Sequence, residues 1–247
     1  MKKKLMILSG AGLSAESGIP TFRDATDGMW KEFDPMVLAN YRVWREHFPK
    51  VHEFYSRRRS DLATVQPNAA HGMVAEWQDR YEAHVFTSNI DLLLEAAGCR
   101  NVHHVHGRLD ELQCEACGHE WNVGYEVYDT TSGCPQCHQV DDVKPNVIFF
   151  NQIAPGYAAM YDMIDQINRA GDDGMFVSIG TSGTVIPVDH ISQFLDCPTI
   201  CNVLNLDRDS DGYYPPISPS HWNHFFSGPA TERVNDIDRV LQEWYAR

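Results

Sequence analysis

Apolar residues in this chain fall into short continuous runs separated by longer stretches of mixed character. Leu5-Met6-Ile7-Leu8, Val85-Phe86-Thr87, Met175 to Ile179 and Ile200 to Leu206 have the unbroken apolar character of strands buried on both faces of a parallel sheet. Between them, Tyr157 to Arg169, Val188 to Phe194 and Thr231 to Tyr245 read as helices. Asp34-Pro35 can open a short helix. Tyr41 to Arg59, with Val43, Trp44, Phe48, Val51, Phe54 and Tyr55, reads as a helical pair that Pro49 could break. Pro67-Asn68-Ala69-Ala70-His71 opens another helix running to about Tyr81, with Pro67 near its start. A leucine-rich helix through Ala97 follows the Val85 run, and Val102 to Gly107 forms a further strand. Strand and helix in alternation predict an α/β fold, a parallel sheet with helices on both faces.

The first strand breaks into Gly10-Ala11-Gly12-Leu13-Ser14-Ala15, a Gly-x-Gly-x-x-Ala turn. After a buried strand, such a turn brings backbone and helical N–H groups up to a pyrophosphate, although a tight glycine turn also serves plain packing. Gly18, Ile19 and Pro20 then stop the helix early, so the chain leaves as a loop. Thr21-Phe22-Arg23-Asp24 in that loop offers an aromatic face and a permanent cation, with Asp27-Gly28 turning the chain before Met29-Trp30. A loop of this kind can fold over a bound cofactor.

With 247 residues and 43% hydrophobic content the chain can bury a sizeable core. A net charge of -14 argues against a nucleic-acid surface and against adsorption to anionic membranes, and makes basic substrates the natural partners. Lys2-Lys3-Lys4 before four apolar residues is too short for a signal peptide, and no span long enough to cross a membrane is present. The expectation is a soluble cytoplasmic protein.

Four of the seven cysteines form two Cys-x-x-Cys pairs, Cys114/Cys117 and Cys134/Cys137, separated by sixteen residues. Two such knuckles predict one closed four-thiolate zinc site, structural because no coordination position stays open; a redox role is the rival. Cys99, Cys197 and Cys201 read as buried thiols. Ser88-Asn89-Ile90-Asp91 ends the Val85 strand on the edge where open α/β sheets bind ligands, with a helix N-cap as the plain alternative for Asn89. In Val102-His103-His104-Val105-His106-Gly107, strand alternation sends His104 and His106 to one face. Asp207-Arg208-Asp209-Ser210-Asp211-Gly212 imitates half of a calcium loop, but position twelve is Ser218 rather than Glu, so a solvated acidic loop is expected.

The string Gly10-Ala11-Gly12-Leu13-Ser14-Ala15-Glu16-Ser17-Gly18-Ile19-Pro20-Thr21-Phe22-Arg23 resembles, over fourteen positions, the signature of the sirtuins, NAD-dependent protein-lysine deacylases. Pro67-Asn68-x-x-His71, Thr87-Ser88-Asn89-Ile90-Asp91, His106-Gly107, Lys144-Pro145-x-Val147 and Gly180-Thr181-Ser182 follow in the family's order, so the resemblance spans nearly the whole chain. It implies a Rossmann-like NAD-binding domain of residues 1–33, 82–108 and 145–247, a helical insert of 34–81 and a zinc-ribbon insert of 109–144, forming one catalytic unit, with a monomer favoured.

By the same resemblance NAD is a consumed co-substrate. Gly10, Ala11, Gly12, Ala15, Thr21, Phe22, Arg23, Trp30, Ser88, Asn89, Ile90, Asp91, Gly180, Thr181, Ser182, Asn205, Leu206, Asp207 and Ala230 are its expected contacts. Asn89 and Asp91 would hold the nicotinamide end. His106 would be the general base that activates a ribose hydroxyl, a role suited to imidazole with its ordinary pKa near about 6.5. His71, His103 and His104 read as packing or surface residues. The acylated lysine of a protein would dock along Val147 and Phe150, although Asn151 and Gln152 replace the family's Gly and Glu, and Ser88 its Gln.

Glu53-Phe54-Tyr55-Ser56-Arg57-Arg58 resembles the sirtuin subclass that removes succinyl and malonyl groups. Tyr55 and Arg58, three apart on a helix, would bind the acyl carboxylate. An NAD glycohydrolase or ADP-ribosyltransferase on the same scaffold is the alternative; a silent NAD sensor and a zinc-ribbon nucleic-acid binder fit the residues less well.

Overall fold

The computed structural model describes residues 3–20, 34–206 and 217–247. Among them, β1 (Lys4–Ser9), β2 (His84–Thr87), β3 (His103–His104), β7 (Gly174–Ile179), β8 (Thr199–Val203) and β9 (His224–Ser227) form one sheet in the order β3-β2-β1-β7-β8-β9. Every adjacent pair is parallel. The order reverses between β1 and β7, which creates a crevice beyond their carboxyl ends where a doubly wound sheet takes its ligand.

Period-two alternation along β1 builds a core on each face. Leu5 and Ile7 pack with Ala70, Val74 and Trp77 of α3 (Ala69–Tyr81) and with Val234, Ile237 and Leu241 of α7 (Ala230–Tyr245). Met6 and Leu8 point the other way, against Met160, Met163, Ile164 and Ile167 of α5 (Gly156–Arg169). All four β1 side chains are essentially inaccessible to water. Burying each contributes about 1.5 to 3 kcal/mol, which is why the run tolerates no polar residue.

A second, antiparallel sheet joins β4 (Gly107–Cys114), β5 (Glu120–Asn122) and β6 (Val143–Val147) in the order β5-β4-β6. Over it lie α1 (Pro35–Leu38), a 3-10 turn (Trp44–His47) and α2 (Phe48–Leu62). Trp44, Phe48, Val51, Phe54 and Tyr55 meet Leu109, Val147 and Phe149 in a third core, so helical insert and small sheet share one apolar seam. Arg59, fully buried, ties them further: Nε donates to the Glu126 carbonyl and Nη2 to Ser56 Oγ.

Several elements differ from expectation. Pro49 starts α2 rather than breaking it, because its missing N–H falls in the first turn, where no intrahelical partner exists. The leucine-rich helix shrinks to α4 (Leu93–Ala96), ended at Gly98, whose φ is 106°. The strand foreseen over Val102 to Gly107 pairs only at His103 and His104, and that foreseen over Ile200 to Leu206 ends at Val203. The helix foreseen through Phe194 is α6 (Val188–Ser192). Among the described residues, no helix is long and apolar enough to cross a membrane.

Candidate active site and zinc centre

Gly10 and Gly12 leave β1 at the reversal point and meet the turn after β7. A Cβ on Gly12 would lie 2.7 Å from the Gly180 oxygen, and one on Gly10 2.7 Å from Thr181 Cβ. The Gly12 N–H donates to that Gly180 oxygen at 2.7 Å. These two glycines are therefore required for one loop to seat on the other, which brings Ala11, Gly12, Gly180, Thr181 and Ser182 to one wall of a cavity of about 710 Å³. Two 3-10 turns follow, Ala11–Leu13 and Ala15–Ser17, and Gly18 ends them with φ at 90°, as the early stop in the sequence predicts.

The polar floor of the cavity comes from the end of β2. Ser88 N–H donates to the Ser9 carbonyl, and Asn89 N–H to Thr87 Oγ1, so the turn is pinned to both strands. Asn89 Nδ2 donates to the Gly10 carbonyl and to Ser14 Oγ, each at 3.1 Å. Ser14 in turn donates to Asp91 Oδ2 at 2.9 Å, and Asp91 Oδ1 accepts the Leu93 N–H. Burial pushes the Asp91 carboxyl above its ordinary range, against the pull of those two donors. Ser14, one residue of the glycine signature, joins Asn89 to Asp91, a role its place in the sequence does not disclose.

His71 also belongs here, behind the floor. It is fully buried, as its packing role predicts, and Asn68 caps α3 while donating from Nδ2 to the Leu13 carbonyl at 2.8 Å. Asn68 N–H donates to His71 Nδ1, which leaves Nε2–H to face Ser14 Oγ at 3.3 Å. Burial pushes His71 down to about 4, so it stays neutral at physiological pH.

His106 stands between β3 and β4. Gly107 after it has φ at 79°, and a Cβ there would lie 2.0 Å from the Asn146 oxygen. Only glycine lets β4 close on β6 at that point, and this fixes the His-Gly pair. His106 Nδ1 donates to the Ser88 carbonyl at 3.1 Å, while Nε2 faces the Tyr157 hydroxyl at 2.8 Å. Burial lowers its pKa, so the imidazole is a neutral base. His104, one strand repeat earlier, grips the next carbonyl: Nδ1 donates to Asn89 O at 2.9 Å and Nε2 pairs with Glu95 at 2.7 Å. His103 stacks on Phe86.

At the far end, Tyr55 and Arg58 of α2 line the cavity with Phe54, Leu109, Val147 and Phe149. Tyr55 is 4% exposed and stacks on Phe149 with ring centroids 5.6 Å apart. Burial raises its phenol, which keeps it a donor. Arg58 lies over the Phe54 ring at 5.6 Å. Burial lowers its pKa while Tyr55, Asp61 and Asp91 raise it; a guanidinium stays charged regardless. Among the described residues Arg58 forms no ion pair, and neither do the buried Arg59 and Lys144. Lys144 Nζ donates to the Pro145 and Val147 carbonyls, 4.7 Å from the Phe149 ring, and burial pushes it down to about 8.

Of the remaining expected contacts, Ile90, Phe150 and Asn205 line the cavity. Gly10 and Ala15 stand beside its wall without lining it, Leu206 packs into the α5-side core, and Ala230 is buried at the start of α7. Thr21, Phe22, Arg23, Trp30 and Asp207, with the acidic loop, lie outside the described residues. Phe150 backbone is already paired: its N–H donates to the Ala39 carbonyl and its carbonyl accepts the Tyr41 N–H. Asn151 takes the left-handed φ of 66° that its family glycine would supply, and Gln152 Oε1 accepts the Phe149 N–H.

The four paired cysteines converge at one end of the small sheet. All four Sγ atoms lie within 4.8 Å of one another, with Cys114 to Cys137 at 3.5 Å and Cys117 to Cys134 at 3.7 Å. A tetrahedral zinc with Zn–S near about 2.3 Å spaces its sulfurs about 3.8 Å apart, so the set fits one zinc ion with every position filled by thiolate. Such an ion is structural. Cys99, Cys197 and Cys201 are free and buried, as expected.

The cavity fits NAD by its donor set: amide, hydroxyl and carboxylate on a buried floor, glycine turns on one wall, apolar side chains elsewhere. Residues 10–187 match the profile of the Sir2 family. A protein of Campylobacter jejuni named NAD-dependent protein deacylase is 41% identical over 87% of this chain and 89% of its own length. One of the same name from Helicobacter hepaticus is 36% identical over 98% of both chains. Among solved structures, a Sir2 homologue in complex with NAD is similar at a TM-score of 0.76 and 30% identity, covering 98% of this chain and 90% of that one. A Sir2 homologue variant in complex with ADP-ribose has the same TM-score at 28% identity, covering 99% and 94%. Glycine turns, polar floor, histidine and thiolate cluster thus agree with a profile match over most of the length: the chain belongs to the Sir2 family.

Proposed function

We propose that this chain is an NAD-dependent protein-lysine deacylase that favours acyl groups ending in a carboxylate, succinyl and malonyl over acetyl. The carrying observation is Arg58, a guanidinium on the cavity wall with no ion pair among the described residues, beside a buried phenol that keeps its proton and can donate it. An arginine meets a carboxylate with two parallel hydrogen bonds, and Tyr55 adds a third donor. In a chain of net charge -14, Arg58 is the lysine or arginine that the described residues give to the cavity lining. A charged hydrogen bond contributes about 1.5 to 3 kcal/mol, or about one to two decades in specificity.

NAD, consumed as co-substrate, supplies the ADP-ribosyl acceptor and the nicotinamide leaving group. The chain's residues do the rest. Asn89, held by the Gly10 carbonyl and Ser14, and Asp91, held by Ser14 and the Leu93 N–H, orient the carboxamide end. His106 takes a hydroxyl proton on Nε2, because Nδ1 is committed to the Ser88 carbonyl. Val147 and Phe150 flank the acyl-lysine.

One observation favours an NAD glycohydrolase instead: the Phe150 backbone is spent on Ala39 and Tyr41, which leaves less edge for a substrate strand. Mass spectrometry of the chain with NAD and a panel of acyl-lysine peptides separates the two. The deacylase reading expects O-acyl-ADP-ribose, most from succinyl and malonyl peptides. Nicotinamide release without peptide, and no O-acyl-ADP-ribose with it, would replace it by the glycohydrolase.

A further inference from the structure

Among the described residues, Nε2 of His106 makes one hydrogen-bond contact, to Tyr157. Tyr157 stands in the first turn of α5, its hydroxyl 2.8 Å from Nε2. Gly156 just before it sits so close to the preceding strand end that a Cβ would lie 2.9 Å from Val105 Cα, which draws the start of α5 onto the His106 segment. The rings are tilted at 59° with centroids 5.7 Å apart, so hydroxyl and nitrogen make the contact. Tyr157 also lines the cavity.

The Ser88 carbonyl can only accept, so Nδ1 carries the proton and Nε2 the lone pair. The Tyr157 hydroxyl is then the donor into that lone pair. We infer that Tyr157 is a positioning residue for the base: its hydroxyl holds the Nδ1–H tautomer from the far side, and the substrate hydroxyl must displace it to reach Nε2. The inference rests on the reading of His106 as the base. The Ser88 carbonyl after β2 bonds His106, Asn89, Asp91 and Arg58 share its cavity, and His104 on β3 is turned to the Asn89 carbonyl and Glu95. Tyr161, one turn along α5, holds the other side of the Tyr157 ring at 6.2 Å.

A donor into Nε2 favours the neutral Nδ1–H tautomer, while the same hydroxyl can turn to accept from imidazolium Nε2–H, so the contact is read in the tautomer and not in the pKa. Tyr157→Phe removes that donor and keeps the ring. The Nε2–H share of neutral His106 should then rise about two- to ten-fold, the change that a neutral hydrogen bond of ordinary net strength produces.

Histidine-labelled NMR of wild type, Tyr157→Phe and Tyr157→Leu, at a pH where His106 is neutral, reads its tautomer without turnover. It therefore decides this inference even if the deacylase reading fails. A larger Nε2–H share in both variants is the expected result. An unchanged or smaller share in the two variants overturns it.

Discussion

At the strand end of the cavity Ser14, Asn89 and Asp91 satisfy one another, whereas at the helical-insert end Arg58 faces the same space with no ion pair among the described residues. The first arrangement is complete before a ligand arrives, so it costs no reorganisation when a charge develops against it. The second is incomplete. A half-buried guanidinium has given up part of its hydration, and an anionic ligand restores what was lost while a neutral acyl group does not. On the proposed function, one end of the cavity would serve a step common to all substrates, and the other would choose among them.

The largest way to break this comparison is to remove the ground under the acyl end. β4 carries both Cys114 and Leu109, and β6 carries Val147, so the acyl wall stands on the sheet that the zinc centre closes. Structural zinc contributes about 10 kcal/mol or more to folding. Cys114→Ala should abolish soluble, folded protein, read by yield, circular dichroism and metal content. A soluble, active, metal-free variant would contradict the structural assignment.

His106→Tyr acts on the shared chemistry. Losing a general base costs about 100- to 10,000-fold, and the loss should be the same for acetyl, succinyl and malonyl peptides. Calorimetry should still find NAD binding, and the zinc content should hold, because the His106 side chain bonds the Ser88 carbonyl and the Tyr157 hydroxyl rather than the thiolate cluster. Persistent acyl transfer would remove it as the base.

Ser14→Ala tests the saturated end. It leaves Asp91 and Asn89 each short of a partner, at a cost of about 1.5 to 3 kcal/mol for the charged bond, or about ten- to a hundred-fold in nicotinamide release. The defect should be equal across acyl groups. A loss confined to succinyl-lysine would mean that the two ends are not independent.

Much of this site could be read from residues before any coordinates, and the exceptions have a physical pattern. The β1 run, the glycine turn, the Asn89 to Asp91 segment, the His106-Gly107 pair and the paired cysteines are local signals, each carried by neighbours in sequence. Ser14, His71 and Tyr157 matter through contacts made across 77, 57 and 51 residues. Spacing says nothing about such pairs. His71 was read as packing, and its burial agrees, but its Nε2 faces the floor of the site as well. β9 passed unnoticed because a four-residue edge strand, none of it fully buried, has no apolar run to betray it. Leu206 was assigned to the cofactor by its motif; the β8 strand ends before it, and its side chain turns into the core.

Whether Arg58 reads the carboxylate of the acyl group is decided by the ratio of desuccinylation to deacetylation in wild type and Arg58→Met. Met keeps an apolar stem and removes the guanidinium that lies over Phe54. The account predicts a wild-type preference for succinyl-lysine, a fall of about ten- to a hundred-fold in desuccinylation by the variant, and little change in deacetylation. Equal loss of both activities, or a wild-type preference for acetyl-lysine, would contradict it.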